Sequence, residues 1–363
     1  MRFCPLALAI SLLLATVTGP LSAAMASVAL PLNQAPQAVA VTITPIQGAD
    51  RIATAIECSK HAFRTQLSLD SEGYRTVVLA TGWDWPDALG AASLAGAVDG
   101  PVLLTNSQFM PTRVAAEIVR LGADRVIVVG GQAAVSQAVA DTCLDIPGVT
   151  LVERLSGPDR YATSVAIADR VVGLVGDGYA GGAFFATGRA FPDALGASPV
   201  AAANGYPIYL VPPGSTVRAD IVASLKSHEV TVPVVLGGTT AIGASMAGNI
   251  GSITGVSPVR LSGSTRYETA IAVADWAVST QAMSWDKAAI ATGLDFPDAI
   301  SGAVLQGRSR SVLLLTDPHE LSPVVEQALD AQRAAIFEIR FLGGEYVLTE
   351  DLRAQVIAVL AEL

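Results

Sequence analysis

The chain has 363 residues, a formal net charge of −10 at neutral pH and 51% hydrophobic residues. The excess of acidic residues argues against non-specific binding to nucleic acid, because the phosphate backbone attracts cationic surfaces. At roughly 150 residues per domain, length alone suggests about two domains, an estimate that internal repeats replace below.

The N-terminus has the pattern of a secretory signal. Arg2 precedes an almost wholly apolar stretch from Leu6 to Val17, and Ala24-Met25-Ala26 supplies the small residues that a signal peptidase requires. A lipoprotein is the alternative, but Cys4 comes before the apolar stretch, whereas a lipid-modified cysteine follows it. Residues 1–26 are therefore predicted to be a signal peptide.

The remainder of the chain is expected to be exported and soluble. Residues 27–47 lack a helical period and are predicted to form a short extended leader. No later segment is long and uninterrupted enough to predict a membrane span. Removal of Arg2 with the signal peptide makes the net charge one unit more negative.

A ten-residue pattern occurs three times, beginning at Ala80, Ala186 and Ala291. Each copy starts with Ala-Thr-Gly after an apolar stretch and ends with an aromatic residue, Pro-Asp-Ala and an aliphatic residue. Proline suits the first helical position, where its missing N–H costs nothing, and the next residue, aspartate, is favoured by the helix dipole. The pattern therefore predicts a strand that ends and a helix that begins.

Two further landmarks recur with the same spacing. A Gly-x-x-Arg-x-x-Thr pattern places arginines at 51, 160 and 266, and a double glycine ends an apolar stretch at 130–131, 237–238 and 343–344. Corresponding positions of the arginines, and of the aspartates in Pro-Asp-Ala, lie 105 to 109 residues apart. Three landmarks with one period indicate three copies of one module, at 48–155, 156–261 and 262–363.

Short apolar strands alternate with helices within each module. This order predicts an α/β fold in which a parallel sheet is covered on both faces. In the first module the predicted elements are helices over 52–67, 87–98, 111–121 and 134–144 and strands over 76–80, 101–105, 125–129 and 149–155. Because no linker separates the modules, we expect three tandem open parallel-sheet modules packed as a pseudo-threefold unit.

Arg51, Arg160 and Arg266 are candidate ligand-binding residues. Each stands at the beginning of a helix beyond the carboxyl ends of strands, where ligands collect in open parallel sheets. The planar guanidinium binds phosphate or carboxylate bidentately. The alternative pairs these arginines with three aspartates of the Pro-Asp-Ala turns as ion pairs that lock the turns together: Asp87, Asp193 and Asp298.

Two other repeated features each allow two interpretations. Thr54, Thr163 and Thr269 can hydrogen-bond back to their own turn or to a sugar hydroxyl. The double glycines can present N–H groups to an anion or let the chain turn sharply.

The sequence offers no repeated catalytic or metal-binding constellation. His61, His228 and His319 occupy unrelated positions in their modules, so no metal, cofactor or catalytic residue is assigned. Cys58 and Cys143 allow either one disulfide, suited to an oxidising exported setting, or two buried thiols.

These motifs resemble the type 2 cell wall binding repeat of Gram-positive bacteria over nearly all of the chain after Gly48. The resemblance rests on Arg-Leu-Ser-Gly-x-x-Arg-Tyr-x-Thr ending at Thr163 and Thr269, on the three Ala-Thr-Gly turns with Pro-Asp-Ala, and on the double glycines. The first copy departs from the pattern, with Ile52 for tyrosine, Trp85 for phenylalanine, and Pro45 where the other copies have arginine.

The resemblance implies a secreted protein anchored non-covalently to the cell wall. Its partner would be an anionic wall polymer, teichoic-acid-like or another secondary polysaccharide, held in grooves between modules by the three arginines, with Asp87, Asp193 and Asp298 as their structural neighbours. Such repeats often accompany a separate effector such as an amidase. Because the repeats take up this chain, no catalytic domain is expected. A peptidoglycan hydrolase and a surface adhesin built on the same modules are the alternatives.

Overall fold

The computed structural model describes residues 41–361, and the predicted signal peptide and most of the predicted leader lie outside them. The first module contains five helices and four strands: α1 (Arg51–Ala62), β2 (Thr76–Thr81), α2 (Trp85–Ala88), α3 (Ala91–Ala97), β3 (Val102–Thr105), α4 (Thr112–Arg120), β4 (Arg125–Val129), α5 (Gln137–Leu144) and β5 (Leu151–Leu155). One further strand precedes it, β1 (Thr42–Ile46).

The second and third modules repeat this order. The second consists of α6 (Arg160–Val175), β6 (Gly182–Thr187), α7 (Pro192–Leu195), α8 (Ser198–Asn204), β7 (Ile208–Val211), α9 (Ala219–Ser227), β8 (Val232–Leu236), α10 (Ala244–Thr254) and β9 (Val259–Leu261). The third consists of α11 (Arg266–Thr280), β10 (Ser284–Thr292), α12 (Pro297–Arg308), β11 (Ser311–Thr316), α13 (Pro323–Gln332), β12 (Glu338–Leu342) and α14 (Glu350–Ala361).

Most predicted elements of the first module are present, with shifted ends. The predicted helix over 87–98 is two helices, α2 and α3, because the chain breaks at Leu89 and Gly90. The helix predicted from 52 to 67 ends at Ala62, and the helix predicted from 134 begins at Gln137 after its cap, Ser136.

Each module holds one parallel four-stranded sheet with the same strand order. The orders are β3-β2-β4-β5, β7-β6-β8-β9 and β11-β10-β12-β1. Every residue of the inner strands β2 and β4 is buried, as expected when both faces of a parallel sheet are covered. The three tandem α/β modules predicted from the sequence are therefore confirmed.

The third sheet is completed by the strand that comes first in the chain. β1 pairs in parallel with β12, from Thr42 opposite Glu338 to Ile46 opposite Leu342. Residues 42–46 fall in the predicted leader outside the repeats, but they form a strand in the sheet of the last module. In the other modules the equivalent edge strands, β5 and β9, lead directly into the first helix of the next module, so the three modules close a ring.

Three equivalent helices, α3, α8 and α12, pack against one another where the modules meet. Their approach is close, since a Cβ atom on Gly96 would lie 2.1 Å from the carbonyl oxygen of Ala202. The aromatic side chains before each Pro-Asp-Ala extend this contact, with ring centroids 6.1 Å apart for Trp85 and Phe191 and 6.0 Å apart for Phe191 and Phe296. This packing is the pseudo-threefold arrangement expected from the repeats.

Candidate functional site: the seams between modules

The three recurring arginines are the first residues of α1, α6 and α11. The residue before each arginine caps its helix: Asp50 accepts from Ala53 N at 2.9 Å, Asp159 from Ala162 N at 2.8 Å and Thr265 from Glu268 N at 3.2 Å. These caps fix the start of the helix, and with it the position of the arginine.

Each arginine holds the Thr-Gly turn of its own module. Its Nη1 donates to the carbonyl oxygen of the turn glycine, at 2.5 Å for Arg51 and Gly82, 3.0 Å for Arg160 and Gly188, and 2.5 Å for Arg266 and Gly293. All three side chains are half-buried. One guanidinium nitrogen therefore serves the fold in every copy, and the rest of the group is left for other partners.

The aspartates of the Pro-Asp-Ala turns face the next module around the ring. Thr163 and Arg160 lie near Asp87, Thr269 and Arg266 near Asp193, and Thr54 and Arg51 near Asp298. We call these junctions the first, second and third seams. Within residues 41–361 no arginine of the motif forms a direct ion pair with this aspartate, although its charge lowers the pKa of the carboxyl group in each seam. The arginine is held instead by the glycine carbonyl.

The aspartates also lie against the double glycines of their own modules. The first glycine of each pair has a positive φ, +101° at Gly130, +90° at Gly237 and +110° at Gly343. A Cβ atom there would come within 2.7 Å or less of the Oδ2 atom of the aspartate. The double glycine is thus a sharp turn packed on a carboxylate, and this contact explains its need for glycine.

Burial raises the pKa of all three aspartates. For Asp87 and Asp193 the facing threonine and arginine offset part of the rise. For Asp298, burial and the nearby charge of Asp295 raise the pKa to about 6. Its Oδ1 atom is buried without a hydrogen-bond partner in the described part of the chain.

The threonines of the arginine motif stabilise their own turns. The hydroxyls of Thr54, Thr163 and Thr269 accept hydrogen bonds from the amides of Gly48 at 3.1 Å, Gly157 at 3.0 Å and Gly263 at 3.2 Å. All three threonine side chains are buried. They are therefore placed to hold the turn and not to reach a ligand in solvent.

The second seam contains an open groove of about 470 Å³. Its polar lining includes Arg189, Asp193, Thr240, Ser264 and Arg266. The exposed Arg189 follows the Thr-Gly turn and makes no ion pair among residues 41–361. The repeats give no signal for Arg189, because its counterparts in the other modules are Trp83 and Leu294.

In the other two seams, carboxylates lie close to the arginines and offset their positive charge. In the third seam Arg51 forms an ion pair with Asp295 at 3.2 Å. In the first seam Asp84 adds a negative charge beside Asp87, and Asp159 pairs with Arg218 at 2.8 Å.

The second seam lacks both of these acidic positions. It has Ala190 where the other copies have Asp84 and Asp295, and Thr265 where they have Asp50 and Asp159. Glu268 contributes a carboxylate nearby, which accepts a hydrogen bond from the amide of Ser264. With Arg189 and Arg266 against the carboxylates of Asp193 and Glu268, the second seam is the least acidic of the three.

The cysteines do not form a disulfide. Cys58 and Cys143 are free, buried thiols. Cys58 lies on α1 near Asp298 and Ser301 of the third module, whereas Cys143 on α5 contacts the carbonyl of Val139 in its own helix. Burial raises the pKa of both thiols to about 12, so they behave as small apolar residues.

A family model for cell wall binding domain 2 matches the chain three times, over residues 46–140, 154–247 and 260–353. The chain therefore belongs to this family of cell wall binding domains. Within the described residues no helix has the length and apolar character needed to cross a bilayer.

Similar proteins share the repeats but extend beyond them. The chain is 28% identical over 298 residues to the N-acetylmuramoyl-L-alanine amidase LytC of Bacillus subtilis, covering 82% of this chain and 55% of LytC. It is 26% identical over 287 residues to the amidase enhancer of the same organism, covering 79% of this chain and 37% of that protein. The chain thus spans about half or less of the length of these relatives.

Solved structures confirm the fold. Cwp6 from Clostridium difficile superimposes with a TM-score of 0.76 at 23% identity, over 91% of this chain and 50% of Cwp6. Cwp8 from the same organism gives the same TM-score at 24% identity, over 89% of this chain and 52% of Cwp8.

Proposed function

We propose that this is a secreted, non-catalytic protein that attaches to the cell wall by binding an anionic polymer in the second seam. The observation that carries the proposal is that Arg189 and Arg266 line one open groove, in which two acidic positions of the other seams are replaced by Ala190 and Thr265. Two guanidinium groups provide fork-shaped donors for phosphate or carboxylate groups repeated along a polymer.

The charge of the whole protein makes this local arrangement necessary. A net charge of −10 repels an anionic polymer at long range. Binding therefore depends on short-range contacts within the groove. Screening by salt at first reduces the overall repulsion, whereas the contacts in the seam weaken as salt rises further.

The experiment is a pull-down of the mature protein on purified wall, before and after removal of the anionic polymer. We expect retention to fall when the polymer is removed and when Arg189 is replaced in Arg189→Gln. Arg189 makes no side-chain contact that the fold needs, so the variant should remain folded. Arg64→Gln removes the same charge from an exposed position in the first module and should bind as the wild type does.

Equal retention of Arg189→Gln and Arg64→Gln on intact wall would contradict the assignment of the second seam. The non-catalytic role has its own test, because renatured protein in a peptidoglycan zymogram should leave no cleared band. A cleared band would favour the hydrolase alternative.

A further inference from the structure

The first module has two exposed aromatic side chains beside a cavity, and neither position is aromatic in the other modules. Trp83 is 51% exposed and Phe109 is 61% exposed. The counterparts of Trp83 are Arg189 and Leu294, and those of Phe109, four residues after the end of the strand, are Ser215 and Glu320. Neither the arginine motif nor the packing of the ring accounts for these two aromatic residues.

The two rings line one cavity of about 430 Å³. The polar part of its wall consists of Asn106, Thr112 and the ion pair between Asp50 and Arg113. Asn106 uses its Oδ1 atom to accept from Gln108 N at 2.9 Å, and its Nδ2 atom has no partner within residues 41–361. The cavity therefore combines two apolar faces with unused hydrogen-bonding capacity.

The indole of Trp83 rests on Arg51, whose guanidinium carbon lies 5.5 Å from the ring centroid. The main chain at Trp83 is fixed separately, because the backbone amide of Trp83 donates to Thr81 Oγ1 at 3.2 Å. Arg51 is itself fixed by Gly82 and Asp295. An aromatic ring that is already restrained on one side loses less conformational entropy when a ligand binds.

We propose that this cavity is a second binding site, in which Trp83 and Phe109 stack on a pyranose ring of a wall glycan. A pyranose has an apolar face of C–H bonds and a rim of hydroxyls. The aromatic rings match the face, and Asn106, Asp50 and Arg113 match the rim. The proposal rests on the proposed function in taking the ligand from the wall, but it requires no negative charge on that ligand.

The size and polarity of the site favour a sugar over a protein or a membrane. A stable protein interface takes about 800 Å² from each partner, whereas a cavity of about 430 Å³ is in the range of small-ligand sites. An anionic membrane surface is disfavoured by the carboxylate of Asp50 at the rim and by the net charge of −10.

The test is a titration of the mature protein, followed by tryptophan fluorescence, with two soluble probes. One is glycan released by muramidase from wall stripped of its anionic polymer, and the other is that polymer itself. Trp83 is the one exposed tryptophan among the four in the described residues, and the part of the fluorescence change that is lost in Trp83→Phe reports the cavity. High salt suppresses the contribution of the second seam.

We expect Trp83→Ala and Phe109→Ala each to weaken binding of one or both probes about tenfold at high salt, as the loss of a stacked ring predicts. Because Trp83→Ala removes the reporting fluorophore, binding by that variant is measured by calorimetry. Trp83→Phe should retain binding within a few-fold. Tyr346→Ala, which removes a fully exposed aromatic ring in the third module, should change nothing.

Binding of both probes that is unaffected by Trp83→Ala and Phe109→Ala would overturn the proposal. The proposal would also be overturned, in favour of a membrane surface, if these two variants lost binding to phosphatidylglycerol vesicles but kept their binding to glycan. Glycan binding in the cavity should not depend on the second seam. Arg189→Gln should therefore bind glycan at high salt as the wild type does.

Discussion

Among the aspartates of the three Pro-Asp-Ala turns, Asp298 has the pKa that is raised furthest. It closes the third seam against Thr54 and Arg51, and its pKa is raised to about 6 from 3.8 by burial and by Asp295. Between these two values the folded protein holds a proton that the unfolded chain has lost. The contribution of this group to the free energy of unfolding is therefore highest below about pH 4, and it falls as the pH rises from about 4 to about 6.

We predict that Asp298→Asn removes this part of the pH dependence. Urea unfolding of the wild type and the variant over pH 4 to 7 measures it, and the relevant quantity is the difference between the two stabilities at each pH. That difference should shift in favour of the variant as the pH rises. An offset that is constant over the whole range would show that Asp298 does not change its ionisation there.

At the scale of single elements, the close contact between the central helices depends on glycine. Gly96 on α3 faces the backbone of Ala202 on α8, and a Cβ atom at 2.1 Å cannot be accommodated without moving one helix. Gly248 on α10 is also helical, but a Cβ atom there meets nothing within 4 Å.

These two glycines give a matched pair of variants. Gly96→Ala should destabilise the protein by about 1–3 kcal/mol, as overpacking does, whereas Gly248→Ala should stabilise it by about 0.5–1 kcal/mol through helix propensity. Chemical denaturation of both variants measures the difference. Equal effects would mean that α3 and α8 do not approach as closely as described.

The helices and strands were largely predictable because the sequence patterns that indicate them are local. Apolar stretches followed by Thr-Gly and Pro-Asp-Ala predicted strands and helices in all three copies, and the caps Asp50 and Asp159 stand where the motif places them. The break between α2 and α3 was missed because Gly90 lies inside an alanine-rich stretch that is otherwise typical of one helix.

The contacts between elements were less predictable, since they join residues far apart in the chain. Pro45 suggested that the first copy lacks an arginine, but Arg353 on α14 donates to the carbonyl of Gly343 at 2.8 Å. Arg154 and Arg260 make the equivalent bonds to Gly130 and Gly237. The substitution of Arg189-Ala190 for Trp83-Asp84 was visible in the sequence, but only the fold shows that this pair faces a seam.

At the scale of the whole molecule, the ring is closed by a strand of five residues. Ile46 at the end of β1 is fully buried, whereas Ile43 in the same strand is 38% exposed. Ile46→Ala should cost about 2–5 kcal/mol, the usual effect of a large-to-small change in a core, and Ile43→Ala should cost much less.

Thermal unfolding of the two variants tests whether β1 is integral to the ring. A lower melting temperature for Ile46→Ala than for Ile43→Ala is expected. Equal melting temperatures would indicate that the third module does not need β1 for its stability.

The inequality of the seams is the central claim, and restoring the missing carboxylate tests it most directly. Ala190→Asp places in the second seam the acid that Asp84 and Asp295 provide in the others, while Ala138→Asp adds the same charge at an exposed position on α5. In a pull-down on intact wall, Ala190→Asp should weaken binding about tenfold, because a carboxylate beside Arg189 and Arg266 competes with the polymer. Ala138→Asp should bind as the wild type does, and equal retention of the two variants would contradict the account.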